Sequence, residues 1–279
     1  MRLAAAAIAA LLAAAGCGGG EDDEPGIPQS GERETTTTEA TTTTVADEAA
    51  LEIVVTNDDG VGAEGIDVLV AALAAVDGVE VTVVAPAAEQ SGTGGNATDG
   101  PLTVTPAQTA GGVEATAVEG FPSDAVRVAF EDMGLTPHLV VAGINEGQNL
   151  GPIVDVSGTV GAARAALRLG VPALAVSQGL GDDVDFETGA ELVVAWVEEN
   201  REALVAGEVP TDHVLSINVP SCDQGELRGT LEVASGTEGD TGGVSDCTST
   251  GDGYTDDVTA FTNGYATMTE VAAEPATPA

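Results

Sequence analysis

No lysine occurs in these 279 residues, and the few arginines bring the basic total to 7 against 46 acidic side chains, for a formal net charge of -39. A chain so poor in positive charge has no basic surface with which to displace counterions, which argues against binding to a nucleic-acid polymer. Either a salty environment that screens self-repulsion or a bias of the genome accounts for the acidity. In both cases an anionic substrate approaches against the global field, so its site has to supply local positive charge. Aromatic residues are also scarce, at 3% of a chain that is 43% hydrophobic. The core must therefore be packed by Val, Ala, Leu and Ile, which suits a buried parallel sheet covered by helices on both faces.

Cysteine is scarce as well, with 3 in the chain. Cys17 closes a short apolar run from Leu3 to Ala15 that follows Arg2. The run is too short for a permanent bilayer span and suits a signal peptide, whose end at Leu12 to Cys17 resembles a bacterial lipobox. Residues 1–17 are thus expected to be a lipoprotein-type signal, with membrane attachment only through a lipid anchor at Cys17 and simple secretion as the alternative. Residues 18–50, acidic and carrying the threonine runs Thr35 to Thr38 and Thr41 to Thr44, have little to bury and read as a tether. Cys222 and Cys247 flank a Gly-, Ser-, Thr- and Asp-rich stretch. In an oxidising compartment that arrangement suggests a disulfide closing the loop. Neither reads as a metal ligand, because no further cysteine is near and His213 precedes a separate strand.

From Leu51 the pattern changes. Short β-branched runs at Leu51 to Thr56, Val79 to Val84, Val113 to Val118, His138 to Ala142, Pro172 to Ser177 and Val214 to Val219 predict buried strands. Helical spacing follows at Glu64 to Val76, from Ser123, a candidate cap, to about Met133, at Gly158 to Leu169 with Arg164 and Arg168 on a polar side, and at Phe186 to Leu204. The alternation predicts a three-layer, doubly wound, mostly parallel, Rossmann-like α/β domain over residues 51–220. Residues 87–110 read as a long loop or irregular hairpin. Residues 221–279 keep only two convincing strands, Leu231 to Ala234 and Tyr265 to Glu270, and read as an irregular β segment or an arm that needs a partner.

Ligands of such sheets gather beyond the carboxyl ends of the strands. Three polar clusters fall there: Asn57-Asp58-Asp59-Gly60, Glu89-Gln90-Ser91-Gly92 and Asn145 to Asn149. Adjacent carboxylates behind a buried strand repel each other and resist desolvation, so a shared cation is the natural compensation. Oxygen-only ligands suit Mg²⁺ or Mn²⁺ better than Zn²⁺. Alternatively Asp58 and Asp59 only form an Asx turn or cap the next helix. The amides at Gly158, Thr159 and Val160 open a helix and are an anion site needing no lysine, while Ser157 taken singly also reads as a simple cap. His138 and His213 lie at the opposite strand ends and read as structural.

Eight segments in order resemble the SurE family of survival-protein nucleotidases. They are Ile53 to Gly60 (IVVTNDDG), Val83 to Pro86 (VVAP), Gln90 to Gly92 (QSG), Gly120 to Asp124 (GFPSD), Val141 to Gly151 (VAGINEGQNLG), Ser157 to Ala163 (SGTVGAA), Ile217 to Pro220 (INVP) and Gly264-Tyr265. The resemblance implies hydrolysis of nucleoside monophosphates, 5′- or 3′-, with one divalent cation per subunit. It puts metal ligands at Asp58, Asp59, Ser91 and Asn145, catalysis at Asp58 and Asp59, and phosphate at Asn149 and the Ser157-Gly158-Thr159 turn. It further implies a homodimer or homotetramer that exchanges C-terminal segments. Ala87-Ala88-Glu89 departs from the family's usual Asp-Arg, which removes a basic residue from the substrate's path. A rival reading is therefore a lipoprotein that binds a phosphorylated ligand without hydrolysing it.

Overall fold

The computed structural model describes residues 50–182, 184–239 and 241–276. The expected signal and nearly all of the expected tether lie outside them. Nine strands form one sheet: β1 (Leu51–Thr56), β2 (Val79–Pro86), β3 (Thr103–Gln108), β4 (Glu114–Glu119), β5 (Leu139–Glu146), β6 (Ala173–Gln178), β7 (His213–Val219), β8 (Thr230–Glu232) and β9 (Ala266–Ala272). Their order is β3-β4-β2-β1-β5-β6-β7-β9-β8. The strands from β4 to β7 are mutually parallel, β3 and β9 run antiparallel to their inner neighbours, and β8 is parallel to β9.

Helices cover both faces. On one, α1 (Glu64–Ala74) and α4 (Phe186–Ala206) bury Ile66, Leu69, Leu73, Val193 and Val197 against Ile53, Val55, Val141 and Ile217. On the other, α2 (Pro122–Arg127) and α3 (Gly158–Arg168) bury Ala125, Val126, Val160 and Ala163 against Val54, Val84 and Val140. Because both faces are covered, the inner strands carry continuous apolar runs, as in Leu139 to Ala142. A short helix, α5 (Asp257–Thr262), supports β9. The molecule is a three-layer, doubly wound α/β protein.

Residues 87–110, read as a long loop or irregular hairpin, contain the edge strand β3, whose antiparallel pairing with β4 over six residues from Thr103 to Gln108 makes a hairpin. The structure corrects three sequence expectations. Ser123 lies inside α2, and the reach-back bond is made by Asp124, which accepts from the Phe121 N–H at 3.0 Å. Arg164 is buried and not on a polar face: it pairs with Asp155 at 2.8 Å and donates to the Ala272 carbonyl at 3.0 Å. The segment beyond Pro220 is not left unpaired within the chain, since β9 joins β7 from His213↔Ala272 to Asn218↔Thr267. Cys222 and Cys247 form a disulfide across that segment.

Candidate active site

β1 is where the winding reverses. The chain goes from β1 to β2 on one side and later returns to β5 on the other, so the crevice between β1 and β5 opens at their carboxyl ends. Asn57, Asp58 and Asp59 leave β1 at that point. Asn57 closes the turn on itself, donating to the Gly60 carbonyl at 2.8 Å and accepting from the Gly60 N–H at 3.2 Å. Gly60 takes φ +101, a conformation that a residue with a Cβ rarely adopts. The local turn is thus made by Asn57 and Gly60, which leaves both carboxylates for other work.

β5 delivers Asn145. Its register against β6 slips between Ala142 and Asn145, where β5 carries one residue more than its partner. Such a bulge re-aims the side chains beyond it. Gly143, at φ +144, sits in the bulge where an added Cβ would strike the Val176 carbonyl. The amide nitrogen of Asn145 donates to the Gly147 carbonyl, whereas its buried Oδ1 has no hydrogen-bond partner among the described residues. A buried acceptor without a partner is costly, which makes this oxygen a candidate donor to a cation.

The other elements close around this pair. The Glu146 N–H donates to Asp59 Oδ2 at 3.1 Å, and the Gln90 N–H to the Asp58 carbonyl at 2.7 Å, which brings exposed Ser91 to the same strand end. Glu89 accepts from the Ser91 N–H at 2.6 Å. Thr159 donates its hydroxyl to Asp58 Oδ1 at 2.6 Å. Asp58, Asp59, the Ser91 loop and Asn145 therefore gather at the carboxyl ends of β1, β2 and β5.

The phosphate-side residues have further commitments. Ser157 Oγ caps α3 by accepting from the Val160 N–H at 3.2 Å, so that amide is engaged within its own helix. Gly158 lies against Asp58, and a Cβ there would stand 2.7 Å from Asp58 Oδ2. Asn149 donates one amide proton to Ser177 at 2.9 Å and is fixed at both backbone atoms by Asn218, at 2.7 and 3.1 Å. Asn218 and Ser177 were given no role from sequence; polar residues inside buried strand runs were the signal.

Electrostatics point the same way. Burial, and then the charge of Asp58, push Asp59 up to about 7. Burial also raises Asp58, opposed by the Thr159 hydroxyl and reinforced by Glu89. Two carboxylates that resist ionising together fit a place where a cation completes the charge balance. Among the described residues no three or more His, Cys, Asp or Glu gather as a metal set, so a site here draws on amide and hydroxyl oxygen as well. Asn145 Oδ1, without a partner among the described residues, and the raised carboxyls of Asp58 and Asp59 at the same strand ends are oxygen donors that fit a divalent cation. His138 and His213 stand at the amino ends of β5 and β7. His138 accepts from the Glu52 N–H at 3.0 Å and His213 lies 2.8 Å from Asp212.

Fold and residues together define a doubly wound α/β protein with an acidic, oxygen-bearing cluster at its switch point. The chain belongs to the SurE family: the family model described as "Survival protein SurE" matches residues 53–239. The chain is similar to the 5'-nucleotidase SurE of Synechococcus sp. (strain JA-3-3Ab), 40% identical over 183 residues that cover 64% of this chain and 69% of the relative. It is also 40% identical over 192 residues to the 5'-nucleotidase SurE of Methanopyrus kandleri, covering 64% and 70%. Among solved structures, the SurE protein from Aquifex aeolicus matches with a TM-score of 0.64 at 28% identity, covering 81% of this chain and 94% of that one.

Proposed function

We propose that this chain is a metal-dependent phosphomonoesterase that hydrolyses nucleoside monophosphates to nucleoside and phosphate. Membership of the SurE family and relatives named 5'-nucleotidase support the activity. The observation that carries it to this site is the buried Oδ1 of Asn145, without a partner among the described residues, on the residue next to Glu146, whose N–H binds Asp59. Asp58, Asp59, Ser91 and Asn145 would hold one divalent cation per subunit, Mg²⁺ or Mn²⁺. When bound, it supplies the positive charge that the chain lacks, polarising a phosphoryl oxygen and acidifying water.

The chain's own residues do the rest. Asp58 orients the attacking water and accepts its proton, while Asp59, braced by the Glu146 N–H, serves chiefly as a ligand. The Gly158 amide at the start of α3 and the remaining amide proton of Asn149 face charge on the phosphoryl group. Substrates of both 5′ and 3′ type fall within this chemistry, with short polyphosphate more distant.

Export as a lipoprotein anchored at Cys17, with secretion as the alternative, is supported by the sequence before Gly18 and by the Cys222–Cys247 disulfide, a bond of oxidising compartments. Among the described residues no helix is long and apolar enough to cross a membrane. A homodimer or homotetramer is part of the same proposal, and the sheet edges at β3 and β8 are available for it. Phosphate release from a panel of 5′- and 3′-nucleotides, with Mn²⁺, Mg²⁺ or chelator, tests the function. Metal-dependent release from nucleotides is expected; binding of nucleotide without release would favour the non-hydrolysing alternative.

A further inference from the structure

Asp58 is 2% exposed, and its carboxylate draws on the backbone N–H groups of Asp58 and Thr159 as well as on a side chain. Rotation about the last bond of an aspartate has broad, shallow minima, so a carboxylate that must present particular lone pairs needs an outside restraint. α3 provides one. Thr159, fully buried in the first turn of that helix, donates its hydroxyl to Asp58 Oδ1 at 2.6 Å. Against the other oxygen lies Gly158, where even a methyl group would come within 2.7 Å of Oδ2 and 2.8 Å of the Asp58 Cβ. One oxygen is thus tied by a charge-assisted bond and the other backed by the main chain. Ser157, one residue earlier, spends its hydroxyl on the cap of α3 and takes no part in this contact.

We infer that Thr159 is a positioning residue for Asp58: its hydroxyl sets the rotation of the carboxylate, so that the unused lone pairs face the crevice shared with Asp59 and Asn145. Its side chain acts through Asp58 and does not itself bind phosphate. The inference deepens the proposed function and rests on its reading of Asp58 as a cation ligand. A buried hydroxyl in the first helical turn with no acceptor would be costly, so this threonine and this aspartate each satisfy a need of the other.

The test uses the metal-free full chain, titrated with Mn²⁺ by calorimetry, alongside nucleotide hydrolysis. Thr159→Val keeps the shape and removes the hydroxyl. It is expected to weaken Mn²⁺ binding by about 10- to 100-fold and to lower kcat by a similar factor, as loss of a partner that orients a ligand does. KM for the nucleotide should change little. Thr159→Ser, which keeps the hydroxyl, should return Mn²⁺ affinity to near the original. Should Thr159→Val not fold, as judged by thermal unfolding, Thr159→Ala against Thr159→Ser makes the same comparison. Unchanged Mn²⁺ affinity and kcat in Thr159→Val overturn the inference, as does an equal loss in Thr159→Ser, which would mean that the methyl group and not the hydroxyl matters. A wild-type chain that binds Mn²⁺ but releases no phosphate would sink the nucleotidase reading alone, since the calorimetric comparison still decides the role of Thr159. One that binds neither Mn²⁺ nor Mg²⁺ overturns both.

Discussion

Substituting Gly158 with alanine sets two effects against each other at the point where α3 meets Asp58. Alanine is the better helix former, by about 0.5–1 kcal/mol. Its methyl group, however, would lie 2.7 Å from Asp58 Oδ2 and 2.8 Å from the Asp58 Cβ, where ordinary contact begins near 3.4 Å. Asp58 or the start of α3 must then give way by roughly 0.7 Å, and overpacking of this kind costs about 1–3 kcal/mol. The net loss of stability is small, on the order of 1 kcal/mol, or a few degrees in Tm for a domain of this size. Activity is far more sensitive, since a displacement of about 1 Å at a reacting group costs on the order of 100-fold. Gly158→Ala should therefore melt within a few degrees of the wild type while kcat and Mn²⁺ affinity collapse. Phosphate release, calorimetry and thermal unfolding on one preparation measure all three. Intact turnover would show that Asp58 is not held where α3 holds it, and would refute the reasoning.

Asn145→Ala should cost only about 1 kcal/mol without metal, because a single bond to the Gly147 carbonyl is lost. It should also abolish the stabilisation by Mn²⁺, worth about 2.7 kcal/mol at 100 times Kd in the wild type, as thermal shift would show. Replacing Cys222 and Cys247 with serine should lower stability by about 3–4 kcal/mol for a closed loop of 25 residues, read as a fall in the denaturant midpoint. Asp124 provides an acid-sensitive contribution. Burial works to raise its carboxyl, but bonds from Thr98, Phe121 and Arg127 hold it below the usual value of 3.8. A carboxyl depressed in the folded state stabilises fully above its unfolded pKa and loses that contribution as pH falls through the lower, folded one. Urea midpoints should therefore drop below about pH 4 in the wild type, and that part of the drop should vanish in Asp124→Asn.

The inner strands and the place of the crevice were legible because burial on both faces leaves a run such as Val140 to Ala142 with nothing polar in it, while the residues just beyond stand out. β3 was not legible. It is an exposed edge strand, it contains Pro106, and it lacks the alternation that one buried face imposes. α5 is six residues long and too short for helical spacing to show. Arg164 follows the polar rule of a surface helix in sequence, and its burial is explained by Asp155, packed beside it from the preceding turn, and by the Ala272 carbonyl on β9. At the site, residue identities pointed to the carboxyl ends of β1 and β5, but the bulge before Asn145 and the bond from Thr159 to Asp58 depend on β6 and α3. The bond joins residues 101 apart and the bulge is set against a strand that comes later in the chain, and local pattern contains neither.

A crystal structure of the full chain with Mn²⁺, read by anomalous scattering, tests the central claim most directly. The account predicts a single Mn²⁺ per subunit at about 2.1 Å from oxygens of Asp58, Asp59 and Asn145, with Ser91 beside it. Mn²⁺ bound elsewhere, or Asn145 Oδ1 paired to the protein and turned away from both carboxylates, would contradict it.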